Sequence, residues 1–69
     1  MAKFIIINRQ TNQVMCKNRN GRRYRQHLNN INKDLKIVVC TKENAQIEAD
    51  YLNNEYYLGW EIQEVTENE

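Results

Sequence analysis

The stretch RRYRQHLNNINKDL (22–35) decides the fold of this 69-residue chain, because it can be read in two ways. Tyr24, Leu28, Ile31 and Leu35 recur at helical spacing. Asn20, ahead of Gly21, can begin such a helix. Against it, Asn29, Asn30 and Asn32 are poor helix formers. RRYRQHL (22–28) also suits an extended edge strand beside a hairpin. The spacing favours a short or irregular helix, with the edge strand as the alternative.

The flanks read more simply. KFIIIN (3–8) is a strand, because Phe4 to Ile7 are apolar and mostly β-branched. QVMC (13–16) is its hairpin partner, and NRQTN (8–12) between them is rich in turn formers. LKIVVCT (35–41) is a further β-branched run and is expected to be a strand. TKENAQIEADYLNNEYYLG (41–59) carries helix punctuation. Thr41 suits the N-cap and Glu43 the first turn, where a negative charge complements the helix dipole. Gly59 suits the C-terminal cap. Ala45, Ala49, Leu52 and Tyr56 form a core stripe. WEIQEV (60–65) closes the fold as a strand, and the acidic tail at 65–69 is expected to fray. The fold class is therefore α+β. A β-hairpin and further strands form an antiparallel or mixed sheet, with one main helix packed on one face. The chain makes a single domain, 1–69.

The net charge of +1 conceals a split. Residues 1–33 carry eight basic side chains and no acid; residues 34–69 carry two basic and nine acidic ones, a balance of −7. KNRNGRRYRQH (17–27) concentrates the positive half, with Arg19, Arg22, Arg23, Arg25 and one lysine around Tyr24. Three readings compete for it. Clustered arginines with an aromatic for stacking suit nucleic acid. The sequence pI of about 7.8 and the acidic second half oppose that. A solvated loop balancing the acidic half is the plain alternative. Arginine is enriched, and lysine depleted, where proteins meet proteins, and this preference favours a protein contact surface. The helix adds to it. Ile47, Tyr51 and Leu58 form a second stripe, about 200° around from Ala45. It suits either packing at the sheet edge or a patch for a partner, and the small size of the protein favours the partner.

Catalytic and metal chemistry find little support. His27 stands alone among arginines and asparagines. Cys16 and Cys40 lie in apolar runs, where a buried, inert thiol is the usual outcome. Glu61 and Glu64 suit a solvated strand face. Cys16, His27 and Cys40 match no compact zinc spacing. No catalytic residue, cofactor or metal is therefore expected. The start, MAKFIIINRQ, has an apolar run too short for a signal-peptide core, so the expected location is the cytoplasm, with no membrane contact and both cysteines reduced; a Cys16–Cys40 bridge is the alternative if their strands are neighbours. Eleven asparagines and no proline, with isoleucine favoured over leucine, suggest an AT-rich genome. A chain this short buries only about 60% of its unfolded surface, so self-association is expected, most simply as a two-fold dimer.

IINRQTNQVM (6–15), ENAQIEADYL (43–52) and WEIQEV (60–65) together resemble small bacteriophage-encoded accessory proteins. Many of these open with a short hairpin and close with a helix and a strand of this kind. The resemblance implies a host-takeover or counter-defence role, exerted by stoichiometric binding to a host or defence protein. The central basic segment is not part of it, so it leaves the target open. The expected function is a non-enzymatic inhibitor acting by protein–protein contact. Its partner-binding residues would be Arg19, Arg22, Arg23, Tyr24, Arg25, Ile47 and Tyr51. A small nucleic-acid-binding regulator using 17–27 is the alternative, and a minor particle protein a third reading.

Overall fold

A computed structural model describes residues 2–65. It is a small α+β fold: β1 (Lys3–Asn8), β2 (Gln13–Lys17), β3 (Arg23–His27), β4 (Lys36–Ile37), α1 (Lys42–Glu55) and β5 (Trp60–Val65). The sheet runs β3-β2-β1-β5, with β4 paired to β2, and every pairing is antiparallel. The expected tail at 65–69 lies outside the described residues except for Val65, which ends β5.

The stretch at 22–35 is not a helix. Its first part is β3, the edge strand, paired residue by residue with β2 from Lys17↔Arg23 to Gln13↔His27. A tight turn makes this possible. The Asn18 side chain accepts from the Asn20 and Arg22 amides, both at 2.9 Å, and Gly21 takes a positive φ of 87°. An asparagine and a glycine at these positions favour a hairpin turn over a helix start. The rest of the stretch is irregular, closed by local bonds such as Leu35 N–H to the Asn32 carbonyl. The helical spacing of its apolar residues has another origin. Ile31 and Leu35 fold back over the sheet face that holds Ile7, Val14 and Cys16.

The run at 35–41 is only partly a strand. β1 and β2 pair at Ile7↔Val14 and Asn8↔Gln13 and then diverge. The 36–40 segment enters the fork. Lys36 and Ile37 pair with β2, and the Val38 amide reaches the Met15 carbonyl at 3.0 Å. Cys40 then exchanges two bonds with Phe4 of β1. The two strands run in opposite directions, so pairing antiparallel to each in turn bends the segment between Ile37 and Cys40. That bend is why a continuous β-branched run does not give a continuous strand.

α1 begins as its sequence predicts. Thr41 Oγ1 accepts from the Asn44 amide at 3.3 Å, and Glu43 lies in the first turn. Ala45, Ala49 and Leu52 are buried against Ile6, Met15, Val38 and Trp60. Full burial of a side chain like Leu52 contributes about 1.5–3 kcal/mol. The helix ends earlier than expected, at Glu55. Tyr56 is the cap residue, with φ −123° and ψ −87°, and is half exposed; it is not the fourth member of the core stripe. Leaving helical dihedrals at Tyr56 takes the ring out of the core stripe, and it lies against the Arg25 guanidinium instead. Gly59 sits beyond the cap, and Leu58 is exposed outside the helix, so the second stripe keeps only Ile47 and Tyr51.

Asn8 ties the end of β1 to the turn that precedes β5. It is fully buried, and its side-chain oxygen accepts from the Gln10 and Thr11 amides while its nitrogen donates to the Leu58 carbonyl at 3.2 Å. Gly59 passes so close that a Cβ there would lie 2.7 Å from Asn8 Oδ1.

Candidate protein-contact groove

Strand alternation divides the basic segment. Residues directly opposite in an antiparallel pair share a face. Arg25 lies opposite Met15 and Arg23 opposite Lys17, two residues along, so both arginines face the helix side of the sheet. Tyr24 lies opposite Cys16, which belongs to the other face, and Arg22 stacks on its ring at 5.6 Å.

On the helix side, α1 packs over β1 and β5, leaving β2 and β3 partly uncovered. The space between β3 and α1 is a groove of about 850 Å³. Met15 and Leu52 line it, together with Arg23 and Arg25 from β3 and Ile47, Tyr51 and Tyr56 from the helix side. The arginines reach across. Arg23 Nη2 lies 3.2 Å from Glu48 Oε1. The Arg25 guanidinium sits 4.2 Å from the Tyr56 ring centroid, and Tyr56 meets Tyr51 edge-on at 6.2 Å. The Tyr51 phenol is pushed above its ordinary value, first by Coulombic repulsion from Tyr56 and then by a hydrogen bond with it. Ile47 remains two-thirds exposed at 67% and Tyr51 55%. The groove therefore combines cationic forks with unfilled apolar and aromatic surface.

Of the residues singled out from the sequence, Arg23, Tyr24, Arg25, Ile47 and Tyr51 border this groove. Tyr24 belongs to its rim, and alternation turns its ring to the opposite face. Arg22 lies on that opposite face with it. Arg19 is elsewhere, beside a separate hollow of about 770 Å³ shared with Lys17, Lys33 and Lys36 and one acid, Asp34. Two groove residues escaped the sequence reading. The spacing of Tyr56 predicts a core position, and nothing in the sequence marks the early end of the helix. Glu48 was legible only as an acid three residues after Ala45, on the flank of the core stripe.

The cysteines stay apart. Both are free; Cys16 is buried on one face and Cys40 is half-buried on the other. Burial pushes both thiols up, and Glu48 adds to the rise at Cys40 against the smaller opposing pull of Arg23 and Lys17. Neither is primed as a thiolate nucleophile. Among the described residues, no group of three His, Cys, Asp or Glu side chains is placed to hold a metal ion, and no helix is long and apolar enough to cross a membrane. No family model matches the chain, and neither a curated protein nor a solved structure matches it.

Proposed function

We propose that this chain is a non-enzymatic binding protein that blocks a protein target by stoichiometric contact, taking an acidic segment of that target into the groove between β3 and α1. One observation supports the reading above all. Two arginines, three tyrosines and an exposed isoleucine from distant parts of the sequence border one concave surface. Arginine and tyrosine are the residue types that dominate interface energetics. The guanidinium forks suit carboxylates, and the apolar wall suits the side chains beside them. The likeness to phage accessory proteins gives the setting: a phage-encoded inhibitor of a host or defence protein, working in the host cytoplasm.

The test is capture from nuclease-treated host lysate, followed by reconstitution with the purified partner. A complex of fixed stoichiometry that the Arg23→Glu, Arg25→Glu variant fails to form supports the reading. A complex indifferent to those changes and to Tyr51→Ala removes the groove from it.

The hollow beside Arg19 favours the second reading, a nucleic-acid-binding regulator. Lys17, Arg19, Lys33 and Lys36 surround it and pair with no carboxylate among the described residues. Retention on heparin with a steep salt dependence, lost on changing these four, would put nucleic acid first.

A further inference from the structure

β3 is the outermost strand, and the bonds that close its ends reveal which of its backbone groups face outward. The Asn18 amide donates to the Arg22 carbonyl at 3.0 Å, and the Leu28 amide to the Asn12 carbonyl at 2.8 Å. The β2–β3 register is constant between these two points, so the hydrogen-bonded positions alternate from one to the other. Tyr24 and Gln26 therefore bond to β2. Met15 agrees, because its carbonyl points the other way, to Val38. The backbone of Arg23, Arg25 and His27 faces outward. The His27 carbonyl is taken by the Asn30 amide at 2.9 Å, and the Arg25 carbonyl has only a 3.5 Å contact from the Gln26 side chain. The other outward groups of β3 have no partner among the described residues.

The opposite edge differs. Phe4 bonds to Cys40, away from β5, so the same alternation turns the backbone of Trp60, Ile62 and Glu64 outward on β5. There the Asn53 side chain bonds to both the amide and the carbonyl of Trp60, each at 3.0 Å, and closes the start of that edge. Among the described residues only the His27 carbonyl, at the end of β3, is closed in a like way, and the Arg23 and Arg25 amides stay open.

We propose that the open edge of β3 takes up an extended segment of a protein partner as an added strand, with carboxylates at alternate positions meeting Arg23 and Arg25. This rests on the reading of the β3–α1 groove as the contact surface, and it specifies how the partner binds. Strand addition supplies backbone bonds, and the alternating side chains supply selectivity. The two arginines stand two residues apart on one face, so their partners must as well. Each guanidinium carries five donors, enough to hold an incoming carboxylate while keeping its present neighbour, Glu48 or the Tyr56 ring. A second copy of this chain fits the edge poorly. Pairing β3 with β3 sets arginines near arginines, which is destabilising. Pairing β3 with β5 offers a single carboxylate on the matching face, Glu64, beside Trp60 and Ile62, which already pack in the core.

Amide exchange and a peptide titration, followed by NMR on the full chain, test this. In the free protein the Arg23 and Arg25 amides exchange fast and the Tyr24 and Gln26 amides slowly; the reverse order overturns the proposal. The probe is a short peptide alternating Glu and Val, with two further versions N-methylated at alternate residues in either phase. The parent peptide is expected to protect the Arg23, Arg25 and His27 amides. One N-methylated version, but not the other, weakens binding by about tenfold or more, and so does the Arg23→Glu, Arg25→Glu variant. If the peptide shifts Tyr51 and Arg25 signals but both N-methylated versions bind as the parent does, the groove reading stands and strand addition fails. If no amide shifts, both fail. Sedimentation showing self-assembly that the double arginine variant abolishes would assign the edge to a second copy and overturn the proposal.

Discussion

Arg25 on the sheet edge lies over the ring of Tyr56 at the end of the helix, 4.2 Å from its centroid, and this contact spans the mouth of the groove. An exposed cation–π pair contributes about 0.5–1 kcal/mol. Arg25→Ala is expected to lower stability by no more than that, with Arg25→Lys recovering part of it. Urea unfolding midpoints check this. A loss of several kcal/mol would mean that the arginine holds the fold together and is not free to serve a partner.

Changing Arg22, Arg23 and Arg25 together to Glu should leave the chain folded, because all three are exposed and surface charges contribute little. The residual cost comes from position 23, where a carboxylate would replace the partner of Glu48. Binding to the captured target should fall severely, and what remains should respond less to salt, since the charge that steers association is gone. Circular dichroism and binding measured at two salt concentrations separate the two effects. Undiminished inhibition by the variant would make the segment a solvated edge.

The Asn8–Gly59 contact should be the most sensitive point of the fold away from the apolar core. Asn8→Ala removes three hydrogen bonds and leaves the Gln10 and Thr11 amides without their acceptor. A destabilisation of about 2–3 kcal/mol is expected. Gly59→Ala forces a Cβ into Asn8 Oδ1 at a φ of 109°, which side chains rarely adopt, and should cost about as much. Because both changes strain the same junction, the double variant should lose less than the sum, and a double-mutant cycle measures the shortfall. Strict additivity would show that the two residues act independently.

The first hairpin, the helix start and the last strand were legible in the sequence because local signals and tertiary context agree there. Thr41 caps, Phe4–Ile7 is β-branched, and WEIQEV pairs in full with β1. The middle departs from the helix its spacing predicts because Tyr24, Leu28, Ile31 and Leu35 share a helical spacing without sharing a helix. Tyr24 belongs to a strand, while Ile31 and Leu35 come from an irregular segment that covers the second face of the sheet. Spacing alone cannot separate those cases when the turn chemistry of Asn18 and Gly21 intervenes. The candidate site was half legible. Arginine clustering pointed to β3 and the second stripe to the helix flank, but their meeting in one groove depends on the sheet order β3-β2-β1-β5. No local pattern encodes that order.

The two cysteines should give this small fold an alkaline weakness. Both thiols are pushed above the ordinary value of 9.0, chiefly by burial, with Glu48 adding to the rise at Cys40. Below that value they are protonated in both folded and unfolded chains, so their contribution is constant. Above it the unfolded chain releases its thiol protons while the folded one keeps them. The unfolded state then binds fewer protons, and stability falls until the folded thiols ionise too. Urea midpoints at about pH 8 and about pH 10, on either side of the ordinary thiol value, should therefore differ. The Cys16→Ala, Cys40→Ala variant should show a smaller difference, which separates the thiols from every other group. Thiol labelling checks the burial directly. Cys16, fully enclosed with its S–H directed at the Val14 carbonyl, should react only as fast as the chain unfolds, and Cys40 sooner. Equal alkaline losses in the two proteins, or rapid labelling of Cys16 in the folded state, would remove the thiols as the cause.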